Sequence, residues 1–213
     1  MSAPISVPMD APSSAPVVSR PKPANPGPLG LAGFGLTTVV LSAINAGLLP
    51  HEAVAAVVPL AFAYGGVAQL IAGVLEFKAG NTFGMVAFTS YGLFWWWFAL
   101  LQWTVGAGWL KAPPPVAGGT VLLMWGFFTL LLWIVTFRLS KAVWSIFLLL
   151  TITFFLLAWG DFGYSIGSLP CGMIGGYFGL ATGFDALVVA FFELLNATAG
   201  RAIVSLGKPF VQG

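Results

Sequence analysis

The chain has 213 residues, of which 59% are hydrophobic and only 7% charged, against about 25% charged in an ordinary soluble domain. Eight Lys or Arg and six Asp or Glu cannot coat a water-facing surface of this size, and a formal net charge of +2 is too small for a phosphate-binding face. A soluble enzyme, a disordered protein and a nucleic-acid binder are therefore excluded. One cysteine, Cys171, and one histidine, His51, exclude an intramolecular disulfide framework and a metal cluster, and leave no nucleophile–base pair for catalysis. The chain is expected to be an all-α integral membrane protein without cofactor, metal or catalytic residues.

Residues 1–24 come first and differ from the rest. Pro4, Pro8, Pro12, Pro16, Pro21 and Pro23 alternate with Ser and Ala, and the apolar run of a signal peptide is missing. A disordered cytoplasmic tail of polyproline character is expected. Asn25-Pro26-Gly27-Pro28-Leu29-Gly30 then opens a helix: Asn is a good cap, and Pro suits a first turn whose N–H groups have no intrahelical partner. Two readings stand here, a cap alone or an anion site at the helix N-terminus.

A spanning helix needs about 20 mostly apolar residues. Six stretches qualify, predicted to run from Leu29 to Leu49, Ala53 to Leu75, Thr82 to Val105, Val116 to Phe137, Val143 to Trp159 and Pro170 to Leu195. Short turns carrying charge, Gly or Pro separate them. The runs are apolar all round rather than alternating, which argues against a β-barrel. Residues 25–200 are thus expected to form a six-helix transmembrane domain, followed by a short cytoplasmic tail, 201–213. With the N-terminus inside, Arg20, Lys22, Lys78, Arg138, Lys141, Arg201 and Lys208 all fall inside and only Lys111 outside. This positive-inside bias places both termini in the cytoplasm and the protein in the plasma membrane, the inner membrane in a bacterium.

Several residues within the spans invite a role. Pro59 is expected to bend the second span, ahead of Tyr64-Gly65-Gly66 and Gln69. Trp95, Trp96 and Trp97 point about 100° apart and are expected mostly to meet lipid or a neighbouring subunit, while Trp103, Trp109 and Trp159 suit an interfacial belt. Gly172, Gly175, Gly176, Gly179 and Gly183 allow close helix packing or line a path for a small solute. Ionisable groups in a span face protein or a water path. Glu76 suits an ion pair with Lys78 or a substrate or proton site, and Asp185, midway along the last span, suits proton handling or a structural partner. Glu193 is expected to pair with Arg201.

Two stretches carry a likeness. One is Asn25-Pro26-Gly27-Pro28-Leu29-Gly30-Leu31. The other runs from Tyr64-Gly65-Gly66 through Gln69, Ala72-Gly73, Leu75-Glu76, Lys78 and Gly80-Asn81-Thr82-Phe83-Gly84 to Ala87-Phe88-Thr89-Ser90-Tyr91-Gly92. Trp125-Gly126 with Phe128-Thr129, and Glu193, Asn196 and Arg201, fit the same pattern. Together they resemble the acetate uptake transporter family, the succinate–acetate permeases. The resemblance covers nearly everything after residue 24. It implies a homohexamer in membrane lipid with a pore in each six-span protomer, taking up acetate, and often succinate, with protons. It also implies an apolar constriction at Phe34, Tyr91 and Leu150. Asn25, Pro26, Pro28, Leu29 and Gly30 belong to the opening motif, and Asn45, Gln69, Glu76 and Thr89 match pore or motif positions. Asp185 and Glu76 are the candidates for proton coupling. The chain departs from the pattern at Gly27, where Ala is usual, at Asp185, where a small or hydroxyl residue is expected, and in its longer Pro-rich tail.

A small carboxylic acid titrates near pH 4, so it is mostly anionic at neutral pH and costly to bury without hydrogen bonds. Helix N-termini, Asn and Thr groups and the Tyr91 hydroxyl are expected to donate them. A proton-coupled carboxylate transporter, an uncoupled acetate channel and a non-transporting membrane sensor subunit are the competing readings.

Overall fold

A computed structural model describes residues 24–211. The Pro-rich segment up to residue 23 lies outside the described residues, so the expectation of disorder there is not addressed. Six long apolar helices follow: α1 (Gly27–Asn45), α2 (His51–Ala79), α3 (Thr82–Gly106), α4 (Pro115–Thr136), α5 (Lys141–Asp161) and α6 (Cys171–Ala199). Each is long and apolar enough to cross a bilayer, and each coincides with a predicted span to within a turn or so at either end. The chain is a multi-pass membrane protein.

The turns are made by the residues that sequence chemistry names. Gly80 ends α2 with φ +77, a left-handed value open to Gly at no steric cost. Asn81 then caps α3 by accepting from the Gly84 N–H at 3.1 Å. Ser140 caps α5 through the Val143 N–H. Between α5 and α6 the expected turn contains a two-residue ladder, β1 (Ser165–Ile166) paired antiparallel with β2 (Leu169–Pro170).

The second span departs from a simple proline bend. After Pro59 the backbone widens into a π-helical stretch over Ala61–Ala68 before returning to α geometry at Gln69. Proline removes a donor from the ladder, and wide turns shift the register of the carbonyls that follow. One shifted carbonyl, that of Phe62, accepts from Trp96 Nε1 at 3.1 Å. Another, that of Tyr64, points at Gly33 of α1, where a Cβ would come within 2.7 Å of it.

This packing also corrects the reading of the tryptophan triplet. Trp95 is buried in the core and Trp96 stacks flat on Phe62 at 5.2 Å, so neither simply faces lipid. Trp103, Trp109 and Trp159 are exposed, as a belt requires.

The glycines of α6 pack within the protomer. Gly176, Gly179 and Gly183 meet Asn45–Ala46, Ser42 and Val39 of α1, while Gly175 meets Leu156 and Leu157 of α5. Backbones approach this closely only where side chains are absent. α6 is thereby fixed between α1 and α5, and a cavity is left elsewhere.

The chain beyond α6 is ordered up to Val211 rather than forming a loose tail. Asn196 clamps it, accepting from the Ile203 and Val204 N–H groups and donating to the Val204 carbonyl. Leu206 accepts from the Ala142 N–H, and Phe210 docks against Phe137 and Trp144.

Candidate functional site: a vestibule ending in an aromatic ring

A cavity of about 1510 Å³ opens at the end of the bundle where α1 begins, α2 ends, α3 begins and α6 ends. The opening motif supplies part of its rim through Asn25, Pro26, Pro28 and Leu29. Gly30 is turned away from the cavity against the Phe88 ring, where a Cβ would overlap it. The C-terminal segment contributes Arg201, Ala202 and Leu206 to the wall.

Phe34, Tyr91 and Leu150, from α1, α3 and α5, line this one cavity. All three are at least 94% buried, so they lie at its deep end. The Phe34 and Tyr91 rings are 6.0 Å apart between centroids, and Phe147 stands 6.1 Å from Tyr91. The floor is therefore aromatic and aliphatic, a surface that holds water poorly.

The Tyr91 hydroxyl does not serve as the donor that sequence reasoning expected. It lies 2.9 Å from Thr129 Oγ1. Thr129 Oγ1 already donates to the Trp125 carbonyl at 2.7 Å. A hydroxyl carries one proton, so Tyr91 must be the donor to Thr129. The ring is held in place by that bond, and its oxygen has only acceptor capacity left for a passing solute.

Gln69 supplies the polar character instead. It lines the cavity with 1% of its surface exposed, and neither its Oε1 nor its Nε2 has a hydrogen-bond partner among the described residues. Leaving a buried polar group unpaired costs about 1–3 kcal/mol. An unpaired buried amide beside a cavity is a feature that packing alone does not explain.

Carboxylates stand closer to the mouth. Glu76 is 3% exposed and turned inward onto Gly84 and Asn81, so it does not reach out to Lys78, which is exposed. Glu193 accepts a hydrogen bond from Asn25 Nδ2 at 3.1 Å, so its partner is Asn25 and not the expected Arg201. The α1 N-terminus is also no open anion site. Asn25 Oδ1 takes the Gly27 N–H, Pro28 has none, and the Leu29 and Gly30 N–H groups both bond the Pro26 carbonyl. The cap accounts for every first-turn donor.

Besides Gly30, three of the sequence-derived candidates lie outside the cavity lining. Thr89 faces Gly73 across the α2–α3 seam and borders a separate shallow groove. Asn45 sits at the opposite end of α1, where its backbone presses on Gly176. Asp185 accepts from Ser145 Oγ at 2.8 Å, one turn inside the start of α5. Although midway along α6 by count, it is shallow relative to α5 and engaged with a structural partner.

Glu193 was recognised in the sequence only as part of an ion pair, and Thr129 only as part of a motif. The place of Glu193 in the wall, and of Thr129 behind Tyr91, depends on helix rotation, which an all-round apolar helix does not display.

The sequence pattern described as the GPR1/FUN34/yaaH family matches residues 10–205. The chain belongs to that family. Among GPR1/FUN34/yaaH relatives, the succinate-acetate/proton symporter SatP of Escherichia coli (strain K12) is 38% identical over 187 residues, covering 88% of this chain and 97% of that protein. Acetate permease A of Emericella nidulans is 39% identical over 197 residues, covering 87% of this chain and 64% of that protein. The solved structure of the bacterial acetate channel SatP superposes with a TM-score of 0.81 at 38% identity, covering 87% of this chain and all of that one. These family members are transporters or channels, not enzymes.

Proposed function

We propose that this chain carries acetate, and small carboxylates of the succinate class, across the plasma membrane through the vestibule and the Phe34–Tyr91–Leu150 ring. The observation that carries the reading is the cavity itself: Asn25, Glu76, Glu193 and Arg201 line it near the helix ends, Phe34, Tyr91 and Leu150 line it further in, and the unpaired amide of Gln69 belongs to its wall. A small carboxylate has one anionic end and one apolar end. Gln69 offers a neutral hydrogen-bond donor to the first, and the ring accepts the second. No cationic group lies this deep, so the solute is held weakly and passes on.

Coupling to protons is part of the proposal. Among the described residues, an anion in the mouth meets two carboxylates, Glu76 and Glu193, and one guanidinium, Arg201. Passage is easier when protons accompany the substrate, whether on it or on the wall. The uncoupled channel differs only in needing no such proton. Among the described residues the vestibule shares its end of the bundle with Lys78, Arg138, Lys141, Arg201 and Lys208, and Lys111 lies at the other end, so the vestibule opens to the cytoplasm under the positive-inside rule. The homohexamer implied by the resemblance belongs to the same proposal, and native mass spectrometry of the purified protein reads it.

The test is uptake of radiolabelled acetate into proteoliposomes, with and without an imposed pH gradient. Accumulation above equilibrium only with the gradient supports coupling. Equilibration regardless of the gradient supports the channel. No uptake beyond empty liposomes rejects transport.

A further inference from the structure

Glu193 stands at the mouth of this path, and neither the constriction nor Gln69 accounts for it. Its Oε2 accepts from Asn25 Nδ2 at 3.1 Å. The other end of the Asn25 amide is fixed, because Oδ1 accepts from the Gly27 N–H at 3.0 Å. The amide thus holds its NH2 in the vestibule mouth, and a carboxylate is already seated on it. Gly27 makes the seat possible. A Cβ at that position would overlap Glu193 Oε2 and lie 3.1 Å from Asn25 Oδ1. Gly27 is also where the chain departs from the motif it otherwise follows.

We propose that Glu193 is a resident carboxylate, occupying on Asn25 the place where a monocarboxylate is held at the cytoplasmic mouth of the path and yielding it on protonation. The inference rests on the transport reading. Its chemical basis is identity of groups: a side-chain carboxylate and acetate present the same two oxygens, so a donor that holds one holds the other.

The surroundings give the exchange a direction. Against Glu193 stand Asn25, just ahead of α1, and Gly27 in its first turn; Glu76 of α2 is near enough for the two carboxylates to repel, and Arg201 of the C-terminal segment lines the same cavity. Asn81 and Ser140 at the starts of α3 and α5 are neutral. A proton taken from vestibule water onto a Glu193 oxygen removes one of two like charges facing the substrate. It also weakens the Asn25 bond, since hydrogen bonds to an ionised acceptor are about twice as strong as neutral ones. One protonation therefore lowers repulsion and releases a donor. A merely structural tie between α1 and α6 would do neither.

The experiment uses full-length protein in liposomes and radiolabelled acetate, with uptake by empty liposomes subtracted, from acidic to neutral pH. The wild type should lose uptake several-fold on going to neutral pH; Glu193→Gln, which keeps an acceptor for Asn25 but carries no charge, should not. Gly27→Ala keeps the charge but displaces it from Asn25; its half-saturation concentration for acetate at neutral pH should drop about threefold to tenfold with the pH dependence retained. Glu193→Ala should show both effects, and serves where the Gly27 variant elutes abnormally on size exclusion. A wild-type pH profile in normally folded Glu193→Gln overturns the proposal. So does an unchanged half-saturation in both Gly27→Ala and Glu193→Ala. Absence of uptake by the wild type would instead reject the transport reading, and this inference with it.

Discussion

α1 meets two different environments along its length. From Gly35 to Ala46 it is pressed against α6, backbone to backbone, through Gly35, Gly176, Gly179 and Gly183. From Gly27 to Phe34 the same helix borders the vestibule, whose wall carries Asn25, Glu76, Gln69 and Glu193. The first half is closed by small residues that remove space. The second half borders open volume, and of the polar groups in that wall the Gln69 amide has no partner among the described residues. Packing and function thus leave different signatures in one helix: close glycine-mediated contact with a single hydroxyl, Thr38 Oγ1, left unpaired, against empty volume bordered by the unpaired Gln69 amide.

The largest effect should come from filling the closed half. In Gly176→Val, the added Cβ falls 2.6 Å from the Asn45 carbonyl carbon and 2.7 Å from Ala46 Cα, both backbone atoms that cannot turn aside. The cost should reach about 3 kcal/mol or more, seen as lost monodispersity and a lowered unfolding temperature in detergent. A variant as stable as the wild type would mean the seam is looser than described.

Gln69→Leu should act in the opposite sense. Replacing an unpaired buried amide by an apolar group of similar size should leave the fold unharmed or stabilise it by about 1–3 kcal/mol, while acetate uptake falls. Stability lost together with transport would show that the amide has a structural partner and would blur the contrast. Thermal unfolding in detergent, set beside liposome uptake, checks both halves.

Leu150→Ala tests the floor. In a sealed core a Leu→Ala change costs about 2–5 kcal/mol. Here the lost volume joins the vestibule, so the penalty should lie at or below the bottom of that range. Acetate should still pass, and bulkier acids such as lactate should gain uptake. A normally folded variant with unchanged substrate range removes Leu150 from the constriction.

The smallest effect is expected at Asp185. Its carboxylate bonds Ser145 and lies off the vestibule, and Asn keeps an acceptor there. Asp185→Asn should leave the pH profile of acetate uptake where it was, in contrast to Glu193→Gln. A flattened profile would move proton handling to α6's other face.

Much of this architecture was legible in the sequence, for identifiable reasons. A bilayer demands long apolar helices, so the six spans followed from hydropathy. Gly80-Asn81 and Ser140 act through local backbone geometry, so those turns followed too. The π stretch at Ala61–Ala68 did not, because it depends on Trp96 reaching the Phe62 carbonyl from another helix. Nor did the inward place of Trp95 or the Asn25–Glu193 bond. In lipid both the inner and the outer face of a helix are apolar, so periodicity no longer reports which side looks inward. Phe34, Tyr91 and Leu150 were brought together by the resemblance, not by spacing. The direction of the Tyr91 proton became visible only once Thr129 and the Trp125 carbonyl were in place.

The central claim is that acetate passes through the vestibule and its aromatic floor. A single cysteine at the floor, Leu150→Cys on a Cys171→Ala background, tests it most directly. A small impermeant thiol reagent applied on the vestibule side of proteoliposomes should react with that cysteine and abolish acetate uptake, and excess acetate should slow the reaction. Full labelling with uptake unchanged would place the path elsewhere and contradict the account.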